Sequence, residues 1–398
     1  MHFRAQVVSA LALIALLAAV VVSATVTAFA KSDRAGFVYV NDNTSVNTVA
    51  GFDRHSDGSL TPLAGSPFAT GGRGTGTIVG SQGALQVTAN GRYLLAVDAG
   101  SNQVSVLRVR SDGALRRVGG SPVSSGGIEP ISIAIHNNLV YVANEGNGST
   151  GSNYTGFVLG ESGRLTPLPH STVPLPSTAN PGDILFNSTG ASLIGVEVGT
   201  TDPSTFRIDS FRVDEDGRLT PAPGSPFSAQ AAGPFGSEFS PTNPSRLYVS
   251  NAHGGAGNGS ISAFHVAHNG VLSPIGTSPF ADGRTAPCWV EISHDGRYLF
   301  TVNTGSTDIS SYRILADGSL QLLGTTAFSS GKGIRPFDAR LDPSGRNLYV
   351  VDAALNAVSA FSVDGGTLTE VNQSPFSLPA GATPFGIVVT GSGGENDS

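Results

Sequence analysis

One cysteine, Cys288, stands among 398 residues, so no intrachain disulfide can form. In "APCWVEIS" it reads as a small buried hydrophobe, because no motif places a His partner beside it. Charged residues are only 13% of the chain and the formal net charge is -7. No run of Lys or Arg occurs, which excludes a nucleic-acid partner, since phosphate binding needs clustered cations. Metal chemistry lacks its usual spacing too. His253, His265 and His294 fall into no H-x-x-x-H pair with a carboxylate between, and His294, in "SHDGR", reads as a solvated hairpin residue. No metal and no cofactor is expected. Glycine and proline are abundant instead, 52 and 24 residues, as suits many short strands joined by tight turns. With 39% hydrophobic residues there is material for a sizeable core.

The long apolar run opens the chain. Arg4 precedes "VVSALALIALLAAVVVSATVTA", and "AFA" at Ala28–Ala30 supplies the small residues a signal peptidase requires. Residues 1–30 are therefore expected as a cleaved signal peptide, with the protein secreted or held in the cell envelope and free of the membrane afterwards. An uncleaved membrane anchor is the rival reading, since the run is near spanning length.

"DGSLTPLAGSPF" from Asp57 recurs with small edits at Asp112, Ser162, Asp216, Asn269, Asp317 and Gly365. The motif glycines are Gly58, Gly113, Gly163, Gly217, Gly270, Gly318 and Gly366. A period near 50 residues means one supersecondary unit repeated, not seven domains. In "RNLYVVDAALNAVSAFSVDGGTLTEV" an apolar strand, a polar loop and two alternating strands follow one another, and the Asp-Gly turn between the last two predicts a type I′ hairpin. A further strand, such as "PFDARLD", precedes each such unit. Four antiparallel strands per repeat make a propeller blade. Ser-Pro-Phe is expected to begin the crossing to the next blade. The first repeat lacks its innermost strand, and "ATPFGIVVT" at the end of the chain supplies it. The prediction is an all-β, seven-bladed propeller over residues 31–390, closed by its C-terminal strand, with 391–398 a disordered tail. A closed ring needs no second subunit, so a monomer is expected.

Repeats of the type "PFDARLDPSGRNLYVVDAALNAVSAFSVDGGTLTEV" and "PCWVEISHDGRYLFTVNTGSTDISSYRILADGSL" resemble the lactonase family of seven-bladed propellers, which includes 6-phosphogluconolactonases and carboxymuconate cyclases. The likeness runs from Gly36 to Thr390 and implies hydrolysis of a lactone without a cofactor. The phosphogluconolactonase branch begins one inner strand with Cys-His and the next with Gly-Pro-Arg-His, and continues the latter blade into Val-Asn-Glu. Here Gly182 stands for the first His, Phe235 and Gly236 for the Arg-His, and Ala252 for the Glu.

Propeller ligands sit at the axis, against the innermost strands. Aligned on their entry prolines, these strands start at Pro130, Pro181, Pro234, Pro287, Pro336 and Pro384, with Gln82 in the same register. Alternation puts the second and fourth positions after the proline on one face. Ser132, Asp183, Trp289 and Asp338 occupy the second; Gln86, Glu238, Glu291 and Arg340 the fourth. One reading makes Glu238, Glu291 and Arg340 a catalytic cluster. A carboxylate raised in pKa by its like-charged neighbour activates water, and Arg340 stabilises the developing oxyanion. Gln86, Asp183, Trp289 and Asp338 then contact a small lactone or cyclic ester. The other reading has Arg340 neutralise the glutamates as a brace in a non-catalytic extracellular binding scaffold. A ring of Asp42, Asp98, Asn144, Glu197, Asn251, Asn303 and Asp352 at the ends of the following strands is expected to cap turns through the local backbone. "GGRGTGTIVGSQG" from Gly71 leads into a strand, not a helix, and reads as a loop over one channel mouth rather than a phosphate cradle.

Overall fold

The computed structural model describes residues 33–331 and 334–392; the expected signal peptide and residues 393–398 lie outside them. The described residues form seven antiparallel sheets, each ordered from an inner to an outer strand. We number the blades by chain order of their second strands. Blade 1 holds Ile387–Gly391, Arg34–Asn41, Thr48–His55 and Leu60–Pro62. The inner strands of blades 2 to 7 are Leu85–Val87, Pro130–His136, Pro181–Phe186, Pro234–Ser240, Pro287–Ile292 and Pro336–Leu341. Each packs against the next around the axis, and the series returns through Ile387–Gly391 to Leu85–Val87. The only helices among the described residues are single 3-10 turns, Ala99–Ser101 and Pro203–Thr205.

Second strands such as Tyr93–Asp98 and Asn347–Asp352 are buried along their whole length. A sheet covered on both faces by neighbouring blades explains their unbroken apolar runs, where a half-wet sheet would alternate.

The chain's end closes the ring as its sequence predicts. Residues 387–391 pair antiparallel with Gly36–Val40. Two further ties cross the seam. Arg54 donates to the Asp342 carboxylate of blade 7 at 2.8 Å, with both side chains buried. Tyr349 Oη donates to the Gly58 carbonyl at 3.0 Å.

That last bond shows one use of the repeated motif. Tyr39, Tyr141 and Tyr248 likewise donate to the carbonyls of Gly113, Gly217 and Gly318 in the following blade. The turns are not type I′. His55 N–H donates to Ser59 and Gly58 N–H to His55, a three-residue loop in which Gly58 alone takes positive φ, +86°. Asp57 stays out of that region because its carboxylate accepts from Ser59 N–H at 2.9 Å, which selects a type I turn followed by a left-handed glycine. In blade 7 the positive φ falls on Gly365.

Ser-Pro-Phe does not lead to the next blade either. Phe68–Ala69 pairs back onto Thr48 and Val49 of its own sheet. The short outer strand leaves one N–H of the third strand without a ladder partner, and the motif serine accepts it: Gly51 to Ser66, Val106 to Ser121 and Ser210 to Ser225, at 2.9, 2.7 and 2.9 Å. Blade 6 lacks Ser-Pro, and its outer strand runs unbroken from Leu320 to Ala327.

Candidate functional site

The axis is not an open channel. The segment Ser81–Gly83, at the end of the glycine-rich loop, enters it and ties five blades together. Ser81 Oγ donates to Ile131 O, and Trp289 Nε1 donates to Ser81 O. Gln82 is 2% exposed; its Nε2 donates to Ser237 O at 2.7 Å and its Oε1 accepts from Val290 N–H at 3.0 Å. Gln82 N–H reaches Gly182 O, Gly83 O accepts from Ile133 N–H, and Gly83 N–H points to Asp338 at 3.4 Å. The glycine-rich stretch thus stoppers the axis from within instead of covering a mouth. A signal for this was in the sequence: blade 2 alone among blades 2 to 7 begins its inner strand without the entry proline.

Above the stopper lies a cavity of about 320 Å³. Its lining includes the fourth-position residues of blades 2 to 7: Gln86, Ala134, Leu185, Glu238, Glu291 and Arg340. Regular alternation carries that register, because in blades 3 to 7 the irregularity that follows the entry proline falls before the fourth residue. Asp183 also reaches the cavity. Trp289 and Asp338 do not. Trp289 is packed between Phe235 and Phe337, with ring centroids 5.2 and 4.8 Å away. Asp338 is fully buried and accepts from Ala339 N–H at 2.9 Å. Both belong to the second-position level, which the stopper occupies.

The two glutamates have different surroundings. Glu291 is held: its Oε1 accepts from Leu341 N–H at 3.0 Å and its Oε2 from Arg340 Nη1 at 3.2 Å. Burial raises its pKa, while Arg340 and the Leu341 N–H pull it back. Glu238 has no hydrogen-bond partner among the described residues. Burial, and then the Glu291 charge, push its pKa up to about 8 against the pull of Arg340. Asp183 is pushed up to about 7 by burial; Ser237 donates to it through N–H and Oγ at 2.9 and 2.7 Å, and Ser132 Oγ at 3.3 Å. Burial works against the charge of Arg340, yet Asp338, Glu291, Glu238 and Asp183 outweigh it and raise its pKa. Its Nη1 serves Glu291 and the Ala339 carbonyl, while Nε and Nη2 have no partner among the described residues. The Arg340–Glu291 pair does brace blades 6 and 7. Glu238 braces nothing.

Such an arrangement can do acid–base chemistry. A proton sits on Glu238 near neutrality, Arg340 stands nearby with its Nη1 donating to Glu291, and guanidinium donors remain for a developing oxyanion.

His294 is exposed, as its hairpin position implies, and stands at the cavity rim with Nε2 donating to Asp342 O at 2.8 Å. Cys288 is buried, its thiol pushed up to about 12 by that burial. The Asx ring serves less as local turn caps than as ties to the third strand. Asp98 accepts from Ser105 of that strand and from Thr70 and Asn47 of blade 1, and Asn303 donates to Asp308 and Ser310 at 2.8 Å each. Asp352 does accept from the Leu355 N–H of its own turn.

The positions where the phosphogluconolactonase branch carries polar side chains are packed shut. A Cβ on Gly236 would lie 2.3 Å from Gln82 Oε1 and 2.4 Å from the Cys288 carbonyl, and one on Gly182 2.7 Å from Val198 Cγ2. Ala252 is buried.

Comparison with known proteins bears on the same architecture. Among solved structures, a candidate 6-phosphogluconolactonase from Bacteroides fragilis superposes with a TM-score of 0.70 at 19% identity, covering 90% of this chain and 99% of its own. The periplasmic gluconolactonase of Pseudomonas aeruginosa gives 0.69 at 17%, with the same coverage. A hypothetical selenium-binding protein from Sulfolobus tokodaii gives 0.64 at 10%, covering 90% and 94%, so likeness at this level speaks for fold alone. No curated protein matches the sequence. The family model described as Lactonase, 7-bladed beta-propeller matches residues 196–390; with seven blades and their closure present among the described residues, the chain is a seven-bladed β-propeller whose second half matches the lactonase family.

Proposed function

We propose that the protein is an exported hydrolase that opens a small lactone in the axial cavity, with Glu238 as general base and Arg340 as oxyanion donor. One observation carries the reading: Glu238 is an unpartnered carboxyl, its pKa raised to about 8, beside an arginine with free N–H groups. In ionised form it takes a proton from water as the water oxygen attacks the lactone carbonyl carbon. The new C–O bond leaves negative charge on the carbonyl oxygen, which Arg340 stabilises. Collapse breaks the ring C–O bond, Glu238 returns the proton to the leaving alkoxide, and a hydroxy acid results. Glu291 holds Arg340 in place. The product ionises among carboxylates, which favours its release. The lactonase-family match supports the reaction class; the N-terminal apolar run supports export.

The test is kcat/KM against pH for a panel of γ- and δ-lactones. Activity is expected to rise through pH 8 and to fall by roughly 10²–10⁴-fold in Glu238→Gln, the usual worth of a general base, with the circular dichroism spectrum unchanged. Equal rates in parent and variant on every lactone would overturn it.

A further inference from the structure

Building on that reading, we propose that the substrate is an uncharged lactone carrying an apolar substituent, and that sugar lactones and anionic lactones are poor substrates. The cavity has two unlike walls. Gln86 of blade 2, Asp183 of blade 4, and Glu238, Glu291 and Arg340 of blades 5 to 7 form the polar side. Blades 3 and 4 supply Ile135, Leu185 and Phe186, and Ile292 joins them from blade 6.

Charge decides against anions. Arg340 is the one Lys or Arg in the lining, and its charge is already met by Glu291 at 3.2 Å and Asp338 at 3.6 Å. Asp183 and Glu238 stand within the same field. A carboxylate or phosphate entering here would have to share Arg340 with those acids and would be desolvated beside them.

The apolar wall decides against polyols. Ile135, Leu185 and Phe186 are only half-buried, and they offer no donor or acceptor to a hydroxyl that has left water. The Phe186 ring is held by Tyr141 and His136, with centroids 6.2 and 6.0 Å away, so this surface is preformed. A lactone whose carbonyl faces Arg340 turns its substituent to this wall. The volume, about 320 Å³, lies at the small end of ligand cavities and suits one ring with a short chain.

The experiment compares γ-lactones of rising alkyl length, glucono-1,5-lactone and its 6-phosphate on the full-length protein. Each added methylene is expected to raise kcat/KM about three- to fourfold until the cavity is full, with glucono-1,5-lactone at least tenfold below the best alkyl lactone and the phosphate lower still. In Leu185→Asn the increment per methylene is expected to shrink. If the phosphorylated or sugar lactone is preferred, or the chain-length series is flat, the substrate assignment falls while the lactonase reading stands. If no lactone is opened faster by the parent than by Glu238→Gln, the lactonase reading falls and takes this inference with it.

Discussion

Replacing Glu238 with glutamine is expected to make the protein more resistant to alkali. In the folded chain burial and Glu291 hold the Glu238 pKa at about 8, against an ordinary 4.5. Between those values the native state keeps a proton that the unfolded state has lost. The protonated carboxyl's contribution is therefore fully present below pH 4.5 and is lost as pH rises through 8. A difference of 8 − 4.5 = 3.5 at 1.36 kcal/mol per unit sets a ceiling of about 5 kcal/mol. The carboxyl opens onto a wet cavity and shares its field with Glu291, so about 2–4 kcal/mol is expected. Glutamine keeps the neutral shape at every pH. Urea unfolding at pH 4.5, 7 and 9 measures this directly. Parent stability should fall across the series, and the fall should be smaller in Glu238→Gln by that amount. Asp183, raised to about 7 by burial, leaves some slope in both proteins. Parallel pH dependences would mean that Glu238 is not buried as described, and the argument for it as a base would fail too.

Three further outcomes are expected. Gln82→Ala should cost about 2–4 kcal/mol in urea unfolding, since it strands the buried Ser237 carbonyl and Val290 N–H; a cost under 0.5 kcal/mol would deny the stopper its structural role. Tyr349→Phe removes the bond to Gly58 across the seam and should cost about 1–2 kcal/mol, with hydrogen exchange rising first in residues 387–391. Ser121→Ala leaves the Val106 N–H unaccepted and should cost about 1–2 kcal/mol, whereas Thr325→Ala, in the unbroken outer strand of blade 6, should lie within about 0.5 kcal/mol of parent stability.

The architecture was legible because every blade repeats the same demand. Seven glycine turns, apolar second strands and a missing first strand admit one closed arrangement. The fourth-position alignment placed Glu238, Glu291 and Arg340 on one cavity, since strand alternation is robust once the entry proline marks the start. Four things were hidden. The turn type depended on Asp57 bonding Ser59, a local choice that Asp-Gly alone does not reveal. The second-position residues Trp289 and Asp338 share a face with the cavity residues, but periodicity says nothing of depth along the axis. Gln82 was read as the start of a strand because its partners, Ser237 and Val290, lie more than 150 residues away. The difference between the glutamates was hidden for a similar reason: Glu291 is singled out by a backbone N–H of the neighbouring blade, which no pattern within its own strand records.

Because Ser81–Gly83 blocks the axis, a molecule in the cavity has no way through to the other face of the ring. On the lactonase reading, a hydroxy acid formed there must leave on the side from which its successor arrives. Accumulated product would then be expected to slow turnover by standing in that path.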